Sequence, residues 1–356
     1  MTQNSNIQIY HFIAQLLHPS YQVDIESYKF NQNFWDDLVK IASGHLVLPA
    51  IYVAAVRKKV IRYFPHDLIN YLKNINELNI NRNNKIIEQI NFISNLFKKH
   101  GIDYVYLKGA ALLFSEKCNA LDQRMIGDID ILITKEHINN ARKILINNGF
   151  IDNIHDFKLS EDILNKTERH LNRITHPKYI AAVELHYSLL SANSDYYMDS
   201  ENFIKNRIKT SYGHYIPNNN DLLKHTILNW QLNDNGIRLN SLLFKTVLDV
   251  LWLECATNNF NAGNSKHIID RFYNLLGVYF IEYENYNGYY RCFYTCQLKS
   301  RSFNKLVKFY SSLRIFFSLI LSRVKLFYDS SSYRKRLIQN PLILIQKIIN
   351  FIKNTF

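Results

Sequence analysis

The chain has 356 residues, of which 47% are hydrophobic and 21% charged, with 43 Lys and Arg against 30 Asp and Glu. That length supports two or three domains with sizeable cores, and the balance excludes a disordered chain. Ten glycines and six prolines are too few for a turn-rich all-β fold and favour long helices.

Asn, Ile, Lys and Tyr are over-used throughout and read as drift in coding composition, with no function attached. The cysteines Cys118, Cys255, Cys292 and Cys296 have no partners at zinc spacing, which suits a free, reduced set in the cytoplasm. The start, MTQNSNIQIYHF, lacks the basic and apolar blocks of a secretory signal. The longest apolar run, Ile315 to Leu321, falls far short of the roughly 20 residues that a membrane span requires. The expectation is a cytoplasmic protein, free or peripheral at the inner membrane face.

Residues 1–100 predict helices over 34–62 and 67–99, the latter with Ile69, Leu72, Ile75, Ile86, Ile90, Ile93 and Phe97 near helical spacing. Pro49 and Pro65 mark breaks or first-turn positions. Over 101–215 short strands alternate with helices, and 216–298 return to helix after Pro217 with the run NNNDLLKHTILNW. Residues 299–356 form a basic tail, twelve Lys and Arg against the single acid Asp329, which leaves the remainder at 31 basic to 29 acidic. A nucleic-acid binder spreads its cations over the fold, so no stable DNA binding is expected here.

The chemistry concentrates in the second region. The segment IDYVYLKGAALLF reads as a strand running into Lys108-Gly109 and a helix opening at Ala110, where backbone N–H groups and a helix end can face a phosphate. In the following strand, GDIDILI, alternation puts Asp128 and Asp130 on one face and Ile129, Ile131 and Ile133 on the other. Two carboxylates about 7 Å apart on one strand face repel each other unless a cation sits between them. In IAAVELHY, Val183 and Leu185 alternate with Glu184 and His186, so a third carboxylate can complete an oxygen cage of the kind Mg²⁺ prefers. Nucleotidyl transfer needs a positioned triphosphate, neutralised charge and an in-line acceptor more than covalent help from protein.

The order of strand, Gly turn, helix, Asp-x-Asp strand and later Glu strand resembles the nucleotidyltransferase fold shared with DNA polymerase beta. More closely, YLKGAALL, RMIGDIDILI and VELHYSLL resemble an uncharacterised bacterial nucleotidyltransferase family that carries Lys-Gly in place of the usual Gly-Ser. The resemblance runs from about Phe34 to about Trp252. It implies an α+β fold, a small mixed sheet with helices, flanked by N-terminal and C-terminal helical regions. It also implies a Mg²⁺- or Mn²⁺-dependent nucleotidyltransferase that takes an NTP, with Asp128, Asp130 and Glu184 as catalytic and metal-binding residues. The acceptor stays open: a small molecule, glycan precursor, peptide, protein or RNA. The alternative is a non-catalytic member that binds nucleotide or a partner. Ala110 stands where the superfamily's usual turn has Ser, and the gap from Gly109 to Asp128 is longer than in minimal members.

Other residues have two readings each. Lys108 reaches a β- or γ-phosphate or is an exposed turn lysine; Gly109 allows a close phosphate approach or only makes a turn. Arg124 contacts phosphate or nucleobase, or pairs with Asp122 on the surface. His186 is an accessory metal ligand, base or orienter of Glu184, or a core histidine. His170 and His176 lie in a loop that the sequence does not place. Asp221 and His225 share a helix face, and Asp249 suggests a polar contact across a domain junction. In the tail, IFFSLIL and PLILIQKIINFI alternate with cations, which suits either contact with an anionic membrane or a terminal helix pair packed on the body.

Overall fold

The computed structural model describes residues 6–116, 118, 120–152, 169–191, 194–257, 259–284 and 288–339. Four helices lead the chain: α1 (Asn6–Leu17), α2 (Gln32–Gly44), α3 (Leu48–Arg57) and α4 (His66–Lys99). The Asn31 side chain caps α2 by accepting the Phe34 N–H at 2.9 Å. After α2 ends, Leu46 takes a left-handed φ of 57°, and Pro49 sits in the first turn of α3, where its missing N–H costs nothing. Pro65 stands immediately before α4. Both prolines act at the breaks expected of them.

Helix α4 buries Leu72, Ile86, Ile90, Ile93 and Phe97 in the core, but it also buries a polar set. Asn83 donates to the carbonyls of Leu121 and Arg124 at 2.8 and 2.9 Å, and Arg82 Nε donates to that of Ile126 at 3.0 Å. Gln89 exchanges two bonds with the backbone of Ala181, at 2.9 and 3.1 Å. These backbone groups belong to the segments that lead into the two strands of the candidate site, so α4 anchors the start of each strand. The asparagines over-used in the sequence thus include side chains with definite structural partners.

The sheet follows. Its elements in chain order are β1 (Tyr104–Tyr106), α5 (Lys108–Leu112), α6 (Ala120–Gln123), β2 (Asp128–Ile133), α7 (Ile138–Asn147), β3 (Ile151–Asp152), β4 (Ile174–Thr175) and β5 (Ala182–His186). The strand order is β1-β2-β5-β4-β3, with β2 and β5 parallel and the other pairs antiparallel. Ile129, Ile131 and Ile133 on β2 and Val183 and Leu185 on β5 are buried, so alternation places the intervening polar residues on the opposite face. The architecture is α+β, a small mixed sheet with flanking helices.

The remainder is largely helical: α8 (Ser200–Lys205), the hairpin β6 (Ile208–Lys209) and β7 (Tyr215–Ile216), α9 (Asn219–Leu228), a π-helical turn Asn229–Asn233, α10 (Gly236–Leu239), α11 (Phe244–Cys255), α12 (Lys266–Leu276), α13 (Gly288–Lys299), α14 (Arg301–Asp329) and α15 (Ser331–Gln339). The apolar block at 341–352 lies outside the described residues. One hydrophobic core takes in side chains from Ile9 on α1 to Leu298 on α13. Helices distant in sequence meet at a cap, where the Phe244 N–H at the start of α11 donates to His45 Nδ1, just after α2, at 3.0 Å.

His45 is held neutral, its pKa lowered to about 4 by burial and by Lys308. The unfolded chain therefore binds the extra proton between its ordinary pKa of about 6.5 and 4, and stability rises with pH across that window. Replacing His45 with Leu is expected to cost roughly 1–3 kcal/mol at pH 8 through the orphaned N–H. It should also flatten the loss of stability between pH 6.5 and 4 in urea unfolding. A variant with the wild-type slope would show that His45 is not buried neutral.

Candidate active site

The parallel register of β2 and β5 sets Asp130 directly opposite Glu184, with Asp128 two residues before Asp130 and His186 two residues after Glu184 on the same face. Asp130 is the deepest of the three acids, at 2% exposure. Its Oδ1 accepts from Lys108 Nζ at 2.6 Å and from His186 Nε2 at 2.8 Å. His186 Nε2 also lies 3.5 Å from Glu184 Oε2. Arg173 joins the other two acids: its Nε donates to Glu184 Oε1 and its Nη2 to Asp128 Oδ2, the latter at 3.1 Å. The structure brings Asp128, Asp130, Glu184, Lys108 and His186 together.

The cations set the charge state of each acid. Burial raises Asp128, as do Asp130 and Glu184, and together these outweigh Lys108 and Arg173. Burial also acts to raise Asp130, but Lys108 and His186 overcome it and hold that carboxyl well below the usual range. Glu184 is held at about 2: burial and Asp130 act to raise it, and the bonds from His186 and Arg173 with the field of His170 outweigh them.

Lys108 owes its aim to a left-handed backbone, φ 50°, which is uncommon for a residue with a side chain. The helix that follows begins at Lys108 and spans only five residues, so the positive helix end expected there is slight. Gly109 is buried, and a Cβ on it would meet Ile126 Cγ1 at 3.1 Å. Its lack of side chain serves this close approach and not the turn itself.

Arg124 is buried, and its partner is Asp249 on α11, with Nε at 2.7 and 3.1 Å from the two carboxylate oxygens. The surface pairing with Asp122 is not what forms. Arg124 Nη1 donates to the carbonyl of Met125, so the guanidinium is largely engaged within the protein. His176 packs against Phe150 and Tyr179, away from the carboxylates. His225 is buried against Phe203, both ring nitrogens without a hydrogen-bond partner, while Asp221 is bonded to the α9 cap residue Asn218.

Asp128 and Glu184 line a cleft of about 420 Å³, with Asp130 buried behind them. Its walls add residues that carry no motif in the sequence: Arg169, His170, Arg173, Asn229, Asp234 and Lys245. Arg169 and Arg173 lie on the segment leading to β4, Lys245 in the first turn of α11, and Asn229 at the start of the π-helical turn. Only the fold assembles them. Asn229 receives Arg169 Nη1 at 3.2 Å and donates to Asp234 at 2.9 Å, which fixes that wall. His170 Nδ1 donates to the Leu171 carbonyl at 2.9 Å, which leaves the Nε2 lone pair on the cleft side, 3.9 Å from Glu184.

The donor chemistry fits a divalent cation. The Asp130, Glu184 and His186 ligand atoms lie within 4.8 Å of one another, and the two carboxylates supply hard oxygens. Asp128 stands at the rim of that group, within the span of the Arg173 guanidinium.

A small mixed sheet that presents paired acids beside a Lys-Gly turn is the arrangement of a nucleotidyltransferase-type fold. Residues 31–253 match a family described as uncharacterised nucleotidyltransferase, and the chain belongs to that family. No curated protein matches it.

The buried pair of Arg124 and Asp249 bears on stability. Arg124→Gln is expected to leave Asp249 charged and unpaired and to cost about 3–5 kcal/mol, while Arg124→Met with Asp249→Leu recovers most of the loss. Chemical denaturation of both variants checks this; an unchanged midpoint for Arg124→Gln would mean the pair contributes nothing.

Proposed function

We propose that this protein transfers a nucleoside monophosphate from a nucleoside triphosphate to an acceptor, with Mg²⁺ or Mn²⁺, in the cytoplasm, where four free cysteines stay reduced. The observation that carries this reading is the cross-strand pair Asp130 and Glu184 with Asp128 on the same face, where Asp128 and Glu184 line a cleft shared with Lys108, Arg169, Arg173 and Lys245. Acids that gather a metal beside cations that gather phosphates make a site for a metal–triphosphate complex. A small molecule, a glycan precursor, a peptide, a protein or an RNA would serve as acceptor.

Asp128, Asp130 and Glu184 would hold the metal, and His186, donating to Asp130, keeps that carboxylate aimed. Bound there, the metal neutralises the triphosphate and the charge that builds on its leaving oxygens. Lys108 and Arg173 neutralise the acids, and would be available to hold the phosphates where a metal supplied that charge instead. Gly109 keeps the Lys108 turn tight against Ile126, and Arg124, locked to Asp249, forms the cleft wall near the nucleotide. The acceptor oxygen attacks the α-phosphorus, the bond from that phosphorus to the β-bridging oxygen breaks, and pyrophosphate leaves. The acceptor's proton passes to His170 Nε2, whose lone pair is kept available by the Nδ1 bond to Leu171.

Incubation with each α-labelled NTP, Mg²⁺ and fractionated cell extract, with pyrophosphate release and mass spectrometry as readouts, tests the reading. Wild type is expected to release pyrophosphate and label an acceptor, and Mg²⁺ with nucleotide to raise its melting temperature. Asp130→Asn should lose both effects and stay folded. His170→Asn should lower kcat by about 10²-fold and keep nucleotide binding. Thermal stabilisation with no pyrophosphate from any extract would favour the non-catalytic alternative, and no stabilisation by any NTP would sink the site.

A further inference from the structure

Helix α14 carries one stripe of apolar side chains away from the protein. At 100° per residue, Leu306, Tyr310, Phe317, Leu321, Val324 and Tyr328 fall in one sector roughly 60° wide. All six are exposed, Leu321 at 68%. Among the described residues, none of α14 belongs to the main core; Leu326 instead forms a small separate cluster with Tyr333 on α15. Polar contacts among the described residues tie α14 to the body. Ser311 Oγ donates to the Arg238 carbonyl at 2.7 Å, Ser318 Oγ accepts from the Arg238 guanidinium at 3.4 Å, and Asn304 accepts from Gln297 at 3.3 Å. One aromatic contact, Phe303 against Phe293 on α13, joins them. A helix that merely packs on its own domain turns its stripe inward, and a contiguous apolar face left outside marks an interaction surface.

The charges name the occupant. Along α14, Arg301, Lys305, Lys308, Arg314, Arg323 and Lys325 meet a single acid, Asp329, at its C-terminal end. Arg314 and Lys325 border the apolar sector on one side, and Lys305 and Arg323 border it on the other, beyond Phe309 and Leu313. An acidic groove on a protein would have to supply anions along both flanks of a stripe 23 residues long, from Leu306 to Tyr328. An anionic bilayer does so by its plane geometry, with the apolar side chains in the acyl boundary, the tyrosines at the headgroups and the cations at lipid phosphates. No helix among the described residues is long and apolar enough to cross a membrane, so this surface would lie on a bilayer and not span it. We propose that the outward face of α14 is a docking surface for anionic phospholipid. This is independent of the nucleotidyl transfer proposed above.

Co-sedimentation of the full chain with phosphatidylcholine vesicles, with and without phosphatidylglycerol, at low and high salt, tests it. The protein is expected to bind the anionic vesicles about tenfold or more tightly than the neutral ones, and to lose most of that difference at high salt. Phe317→Ser with Leu321→Ser should abolish binding. Arg314→Gln with Lys325→Gln should weaken it roughly tenfold, to the anionic vesicles alone. All four positions lie on the exposed side, so melting temperatures should stay at the wild-type value, and pyrophosphate release provides an independent check on the fold. Equal binding to both vesicle types, or wild-type binding by the Phe317/Leu321 variant, overturns the proposal. So does a full chain that ignores anionic vesicles, whether residues 340–356 or a second copy then covers the stripe; sedimentation velocity tells these apart.

Discussion

The parallel pairing of β2 with β5 is the constraint from which the rest of the site follows. Two strands in this register cannot avoid setting Asp130 against Glu184, and the pleat then adds Asp128 and His186 to the same face. Buried acids at that spacing repel one another in a medium that screens poorly. The surrounding side chains answer that repulsion: Lys108 and His186 converge on Asp130, and Arg173 bridges Asp128 and Glu184. Because the strain is electrostatic, a divalent cation can take over the same role. A metal bound as proposed would compete with the guanidinium of Arg173 for those carboxylates.

Rigidity comes from elsewhere. The strands of the site are short, six residues for β2 and five for β5, and cannot hold their own register without support. Helix α4, 34 residues long, provides that support through Asn83, Arg82 and Gln89, which bind the backbone just before β2 and β5. The opposite wall is stiffened by the Asn229 and Asp234 contacts in the π-helical turn and by the buried pair of Arg124 and Asp249. A site whose walls are tied from both sides keeps its donors aimed as charge develops. The cost is a set of buried polar groups that must all find partners, and His225 and His186 Nδ1 are places where the described residues supply none.

Helix α14 follows a different physical logic from the body it is joined to. The core from Ile9 to Leu298 is assembled by apolar burial, whereas α14, outside that core, bonds to the body through hydroxyl and amide contacts to Arg238 and Gln297. Attachment of that kind leaves the apolar stripe exposed.

The sequence by itself determined the elements that depend on local pattern. Alternation in GDIDILI and VELHY set which residues share a strand face, and helical spacing with Pro49 and Pro65 located α2, α3 and α4. The family followed from the same motifs, since their order along the chain is itself a linear property. Tertiary structure alone decided the partners. Arg173 and Arg169 sit in a segment with no periodicity, Lys245 lies in an apolar helix more than 60 residues beyond Glu184, and nothing linear relates them to the cleft. Arg124 read equally well as a phosphate ligand or a partner of Asp122, because a side chain's nearest charge in sequence is a poor guide to its nearest charge in space; burial against α11 gave it Asp249. The direction of the α14 stripe is the last such case. Periodicity shows that a helix has an apolar face, but only packing says whether that face is turned toward the core or away from it.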